Sequence, residues 1–445
     1  MKNKGKDVNG KSAHRVADPT KNAGLNRRSF LQTALAGGAV ASTAYISLAH
    51  DLFAAEGGPI VIGHQVELTG GFSSWGYWHD KCAKAAVKLI NEGGGIAGRK
   101  LEMAVADTES NPAAGARKLR SLIQRKNASF IIGSVHSGIM LASIPVSSEL
   151  KTPYFSAGEA TEATGSKGNR YSFRTGTDTY ALAAAGAPWA YENLGKNWTM
   201  IFPDYAWGHS HHQEHRKLIE KMGGKVNDPI AVPLGTKDLV PYLAKIPEET
   251  EVLFSVFFGA LSIAFYTQMK SMRLDEKMKQ YSVSGTIEAI SPKQIKGAAE
   301  GVYFVENFPR PLEYKDDEYH RAFIKMMGID GVHAQEEGSD RIMAKSHAWQ
   351  SYENFFVLKK AIEDAGWKTK KDTPGVIQAL EGLKMDNSLA HPQGGKVLRA
   401  EDHSGIIDCY ISRVEKDKFV MKKHIPRAEM ETLLPPRYDF RKQKI

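Results

Sequence analysis

Three short stretches carry residues whose types and spacing can do chemistry. "HHQEH" (His211–His215) sets His211 and His215 one helical turn apart, with Glu214 beside the second. That matches H-x-x-E-H, the pattern of inverted zincins, metallopeptidases in which two imidazoles hold zinc. It fixes only three positions and no second signature supports it; the competing reading is a solvated, histidine-rich helix start. "GSVHSG" (Gly133–Gly138) joins an apolar run to a helical pattern. The hydroxyls of Ser134 and Ser137, with backbone N–H groups near Gly138, can hold a carboxylate at a helix N-terminus. They can equally well just cap the helix. The stretch is not G-x-S-x-G, and no Ser-His-Asp set stands out, so a hydrolase has little support. "INEGGGIAGRKLEMAVADTESNP" (Ile90–Pro112) is glycine-rich. A phosphate loop follows a strand and opens a helix. Here the glycines follow a helical pattern and precede a strand, so Gly93–Gly95 reads as a helix stop and a tight turn.

Aromatic residues recur in the loops between elements. Trp75 and Tyr77 follow the first apolar run, Tyr205 and Trp207 follow a later one, and Phe257 and Phe258 a third. Large rigid rings at a cleft mouth can sandwich an apolar or aromatic solute. The expectation is an apolar-walled cleft with few charges, with Trp75 and Trp207 as its main contacts.

The elements that must position these residues alternate. "PIVIGHQVEL" (Pro59–Leu68) reads as a buried strand and "TGGFSSWGYW" (Thr69–Trp78) as a loop. "HDKCAKAAVKLINE" has helical period, with Ala83, Ala86, Val87 and Ile90 on one face. Strands are expected at "KLEMAVAD", "ASFIIGS" and "TPYFSAG", with helices between them. The pattern breaks at "RYSFRTGTDTYA" (Arg170–Ala181), restarts with "WTMIFPD", "EVLFSVFFG" and "KQYSVSG", and breaks again at "GVYFVENFPRP" (Gly301–Pro311). "GIIDCYISRVE" is read as the last strand. Such alternation suits right-handed βαβ units and parallel sheets.

Length and composition bound the class. At 445 residues, 42% of them hydrophobic, the chain exceeds one ordinary core. Cys82 and Cys409 are too few for a disulfide framework and are expected to be free thiols. "NRRSF" (Asn26–Phe30) precedes an uncharged stretch, Phe30–Ala49, which together resemble a twin-arginine export signal cleaved near Ala49 to Ala55. Residues 1–55 carry eight Lys/Arg against three Asp/Glu, leaving about +4 of the formal +9 for the rest. No basic run interleaves with aromatics, so nucleic acid is not an expected partner.

The order of these elements resembles the branched-chain amino-acid binding protein family, the extracytoplasmic solute receptors of ABC importers. The resemblance is carried by "INEGGGIAGRKLEMAVADTESNP", "IIGSVHSG", "TPYFSAGEAT", "FRTGTD", "PDYAWG", "SYENFFVLKKAIEDAG" and "GGKVLRAEDH", in that order, and spans about residues 58–425. It implies an α/β type I periplasmic binding protein fold: two Rossmann-like lobes with parallel sheets, three crossovers and a ligand cleft between the lobes. It divides the chain into an export signal (1–55), lobe 1 (56–175 and 305–404) and lobe 2 (176–304 and 405–445). Ser137 is the best match to the family serine that holds a ligand carboxylate. Gly158, Glu159, Ala160 and Thr161 match the segment that completes that site, with Glu159 an addition. In the second lobe the family pairs the ligand ammonium with a tyrosine and an acid. Phe258 and Thr286 fall near those places, and Glu288 is near but shifted. Phe258 cannot accept a hydrogen bond, which turns the expectation away from a simple branched-chain amino acid.

The function expected is that of a periplasmic, monomeric, non-enzymatic receptor for an amino acid, an aromatic or short-chain carboxylate, or an amide-like solute. Its second partner is a membrane ABC permease, and no cofactor or metal is expected. A signalling rather than importing receptor is the alternative.

Overall fold

The computed structural model describes residues 58–445; the expected export signal lies outside them. Apolar and helical runs alternate as the sequence implies. Strands β1 (Ile60–Val66), β2 (Leu101–Asp107), β3 (Phe130–Gly133), β4 (Tyr154–Ser156) and β5 (Ser172–Phe173) form a parallel sheet in the order β2-β1-β3-β4-β5. β1 and β3 are buried almost throughout, so they read as continuous apolar runs. Helices α1 (Ser73–Glu92), α2 (Pro112–Gln124) and α3 (Ser137–Glu149) cover the sheet.

α1 begins at Ser73, so most of the expected loop "TGGFSSWGYW" is helix. Gly76 explains the early start. A Cβ there would lie 1.9 Å from the Glu67 carbonyl oxygen, so only glycine lets the helix lie this close to the end of β1. Gly76→Ala is expected to destabilise the fold by about 1–3 kcal/mol through overpacking, read as a lowered urea midpoint; an unchanged midpoint would mean that α1 shifts freely. α1 stops where expected. Gly94 and Gly95 have φ of 93° and 76°, and a Cβ on Gly95 would meet the Arg99 carbonyl oxygen at 2.0 Å.

A second sheet repeats the first. β6 (Asn197–Pro203), β7 (Lys225–Val226), β8 (Ile230–Val232), β9 (Val252–Ser255), β10 (Lys279–Val283) and β11 (Tyr303–Glu306) are joined by α4 (Thr179–Asn193), which precedes β6, and by α5 (Ala206–Lys221), α6 (Gly259–Ser271) and α7 (Ser284–Ile287). The order β7-β6-β9-β10-β11 reproduces the winding of the first sheet, with β8 pairing on β6. β11 lies inside what the sequence reads as a break. Helices α8 (Glu318–Met327) and α9 (Lys345–Asp364) return to the first lobe, where α9 packs along α1. Strands β12 (Lys384–Met385), β13 (Lys396–Leu398) and β14 (Gly405–Ile406) make a small antiparallel sheet.

β15 (Cys409–Glu415) pairs antiparallel to β11, and β16 (Lys418–Ile425) pairs antiparallel to β15 and closes the second sheet. "GIIDCYISRVE" is therefore not the last strand. Lys416 and Asp417, at φ of 50° and 62°, turn the chain into one more. The three crossings between lobes lie side by side: the Arg174 amide donates to the His403 carbonyl at 3.0 Å and Asn307 donates to Thr177 Oγ1 at 2.9 Å. Cys82 and Cys409 are free and buried in separate cores.

Candidate ligand-binding cleft

In an open α/β sheet, ligands sit beyond the carboxyl ends of the strands, where the winding reverses direction. Here both sheets send their strand-end loops to one cavity. Phe72 and Trp75 follow β1, Val135 follows β3 and Glu159 follows β4. Tyr205 and Trp207 come from the other lobe, after β6, and Phe258 comes after β9. His347, in the first turn of α9, completes the lining.

The rings meet across the lobes. Phe72 stacks on Phe258 with centroids 4.2 Å apart, and Tyr205 lies edge-on to both, at 6.2 and 5.8 Å. Trp207 lies 6.4 Å from Phe258, and Trp75 stands edge-on to His347 at 4.9 Å.

The polar centre is Glu159, which is buried. Its Oε2 accepts from Trp207 Nε1 at 2.8 Å, its Oε1 lies 2.9 Å from His347 Nε2, and His211 Nε2 is 3.7 Å away. The other imidazole nitrogen of His347 lies 3.3 Å from Glu288 Oε2. Glu288 also accepts from the Ser346 amide. Because Ala344 offers α9 no side-chain cap, this carboxylate from the second lobe satisfies a free N–H at the start of a first-lobe helix.

Burial opposes charge on Glu159, but His347 at 2.9 Å and the nearby His211 ring outweigh it, holding the carboxyl well below its ordinary range. Burial also opposes charge on His347, yet Glu159 and then Glu288 raise it to about 10. Burial lowers His211 below its ordinary value, against the pull of Glu159. The sign of the pH dependence follows. A group raised from 6.5 to about 10 contributes stability in full below pH 6.5 and loses it as pH climbs through 10. A depressed carboxyl contributes above 4.5 and loses that as pH falls. The stability lost in His347→Asn, measured by urea unfolding, is therefore expected to be largest near pH 5–6.5 and to shrink toward pH 10. An equal loss at pH 6 and pH 10 would mean that His347 carries no proton in the fold.

The sequence-predicted residues divide. Trp75, Glu159, Tyr205, Trp207 and Phe258 line the cleft, and Glu288 reaches it through His347. Tyr77 does not: two helical positions from Trp75, it faces away and donates to Glu336 at 2.6 Å. Phe257 packs in the second-lobe core against Phe265 at 4.9 Å. Thr286 Oγ1 accepts from the Phe257 amide at 3.2 Å, holding the loop that presents Phe258.

Ser134 donates to buried Glu67, whose carboxyl burial pushes up to about 7. Ser137 Oγ accepts from the Ala160 amide at 3.2 Å. The Gly138 and Ile139 amides both donate to His136 Nδ1, at 3.0 and 3.3 Å. Ala160 gives its carbonyl to Arg174 at 2.8 Å. Thr161 donates its amide to Ser210 of α5 at 3.1 Å, a tie between lobes. Gly158 packs against α3, where a Cβ would meet Met140 Sδ at 3.1 Å. Phe72, Val135, His136, Glu67 and His347 are additions that spacing did not single out.

In "HHQEH", Glu214 pairs with Arg437 at 3.1 Å and His215 Nδ1 lies 2.9 Å from the His211 carbonyl oxygen. The inverted-zincin arrangement is not formed. Among the described residues, no three His, Cys, Asp or Glu side chains are placed to hold a metal ion. A second cavity at the crossovers is lined by Arg174, Asp178, Arg399, Asp402 and Arg437. Those charges pair within the chain, Arg437 with Glu214 and the others with one another.

The family model of periplasmic binding proteins matches residues 59–418. A Leu/Ile/Val-binding protein homolog of Brucella abortus is 24% identical over 268 residues, covering 60% of this chain and 70% of that protein. A solute binding protein of an ABC transporter from Rhodopseudomonas palustris, in complex with 3,4-dihydroxy benzoic acid, superposes with a TM-score of 0.71 at 21% identity. It covers 83% of this chain and 98% of its own. The branched-chain amino acid transporter substrate binding protein of Streptococcus pneumoniae, in complex with isoleucine, gives 0.67 at 18% identity, covering 82% and 99%. These solved structures share the two-lobed α/β fold.

Proposed function

Because the chain belongs to the periplasmic binding protein family, we propose that it is the exported solute receptor of an ABC importer. It closes two lobes over a small solute and presents the closed form to a membrane permease. The supporting observation is the cleft itself: rings from both lobes, Phe72 and Trp75 on one side and Tyr205, Trp207 and Phe258 on the other, face one small cavity. Export by the twin-arginine signal in residues 1–55 places it in the periplasm, and its lobes comprise residues 56–175 with 305–404, and 176–304 with 405–445. It works by binding, without catalysis. The relatives' ligands, a hydroxylated benzoic acid and an amino acid, set the size class of solute.

A ligand that binds only the folded form raises its stability by mass action, about 2.7 kcal/mol at a hundred times Kd. A thermal-shift screen of amino acids, aromatic and short-chain acids, amines, amides and polyols is expected to give a concentration-dependent rise in Tm for one class. The same solute should reduce the radius of gyration in solution scattering. A flat response across all classes would remove the receptor reading.

A further inference from the structure

On the receptor reading above, we infer that the solute is a compact organic cation, an alkylated ammonium group with a hydrogen-bond acceptor beside it. Four observations converge. Five aromatic rings line the cleft from both lobes, and no Lys or Arg lines it. Aromatic faces are electron-rich and attract ammonium groups, most strongly when water is excluded.

The charged lining groups are Glu159 and His347, and His347 is shared with Glu288. Two carboxylates thus divide one imidazole. The nearby cations are engaged elsewhere. Arg174 bonds the Ala160 carbonyl and pairs with Asp178. Arg310 bonds the carbonyls of Ile287 and Glu288, and Lys345 bonds the Arg310 carbonyl and His320.

Most of the N–H groups that face a ligand carboxylate are already used. The Gly138 and Ile139 amides go to His136, the Ala160 amide goes to Ser137 Oγ, and the Trp207 N–H and His347 go to Glu159. An anionic solute would meet the chain's own carboxylate, and like charge in a desolvated site is repelled. Lastly, Trp75 Nε1 is buried without a partner in the wall of the cleft. Its N–H is a donor for an oxygen of the solute.

The test is calorimetric titration of the purified protein, stripped of carried-over solute by unfolding and refolding. The probes are tetramethylammonium, choline and glycine betaine, the uncharged choline isostere 3,3-dimethylbutan-1-ol, and benzoate and isoleucine. At least one cation-bearing probe is expected to bind, with choline at least about 30-fold tighter than its isostere. Phe258→Leu keeps apolar bulk but removes a ring face. It should weaken cation binding about 5- to 30-fold and leave the isostere within twofold. Isostere binding as tight as choline overturns the inference. So does binding confined to benzoate, isoleucine or another solute without an alkylated ammonium group, which leaves the receptor reading standing. A protein that binds nothing here or in the wider screen overturns both.

Discussion

Glu159→Ala is expected to destabilise the protein by about 3–5 kcal/mol and to favour the open form. The carboxylate sits between two lobes and satisfies donors from both: His347 at 2.9 Å and Trp207 of α5 at 2.8 Å. Its removal strands a buried imidazolium with one remaining, longer contact, to Glu288 at 3.3 Å. Breaking a buried ion pair by removing one partner costs about 3–5 kcal/mol, because the other charge stays desolvated. The Trp207 N–H, also buried, loses its acceptor, which alone costs about 1–3 kcal/mol. Opening the cleft rehydrates both groups, so part of the cost should appear as a larger radius of gyration rather than as lower unfolding stability. Glu159→Gln, which keeps an acceptor for Trp207 while removing the charge, should cost less. Urea unfolding and solution scattering on the parent and both variants decide it. A Glu159→Ala protein within 1 kcal/mol of the parent and equally compact would show that Glu159 does not join the lobes.

The same residue shows what was legible in the sequence. "TPYFSAGEAT" gives a strand followed by a loop at the carboxyl edge of a sheet, and winding rules place such loops at a cleft. Position alone therefore brings Glu159, Tyr205, Trp207 and Phe258 together. Tyr77 points away from the expected cleft because, although "TGGFSSWGYW" looks like a loop, Gly76 lets the helix start six residues early. On a helix, residues two apart cannot share a face, so Trp75 enters the cleft and Tyr77 leaves it. His347 is not legible in the sequence for a different reason. It stands in the first turn of α9 among core-facing residues, and nothing in its spacing separates a site imidazole from a buried structural one. Its role depends on Glu159 and Glu288, 188 and 59 positions away, a coincidence that only the tertiary fold creates.

The reading of Ser134, Ser137 and Gly138 as an anion site followed from local structure: a strand running into a helix N-terminus, with hydroxyls beside it. The local structure formed as expected, with α3 starting at Ser137. His136 caps the helix with its own ring, however, and Ser137 holds the loop that carries Glu159. A helix N-terminus offers donors in every protein; whether they remain free for a ligand depends on the side chain at the cap.

A second large loss is expected at a site outside the cleft lining. Glu353, fully buried on α9, accepts from Lys396 Nζ at 2.5 Å and from the Gln393 amide at 2.8 Å, with His391 Nδ1 3.3 Å away. Burial opposes its charge, but Lys396 and His391 hold its carboxyl below the ordinary range. The network fixes the late loop "HPQGGK" against α9, and Gln393 in turn donates to the Asn307 carbonyl at one of the crossovers. Glu353→Ala leaves the Lys396 ammonium buried with only Gln393 Oε1 and the Gly394 carbonyl, at 3.0 and 2.9 Å. The expected cost is about 3–5 kcal/mol in urea unfolding. Replacing both partners, Glu353→Leu with Lys396→Met, removes the stranded charge and should recover most of that loss, since a packed apolar pair of similar volume is often neutral or better. If the double variant is as unstable as Glu353→Ala, the network's value lies in its hydrogen bonds to the loop rather than in compensated charge. Because Asn307 also holds Thr177 across the crossovers, the double variant should regain stability while its ligand affinity stays altered. That separation would distinguish a residue that sets the geometry of the hinge from one that only stabilises a lobe.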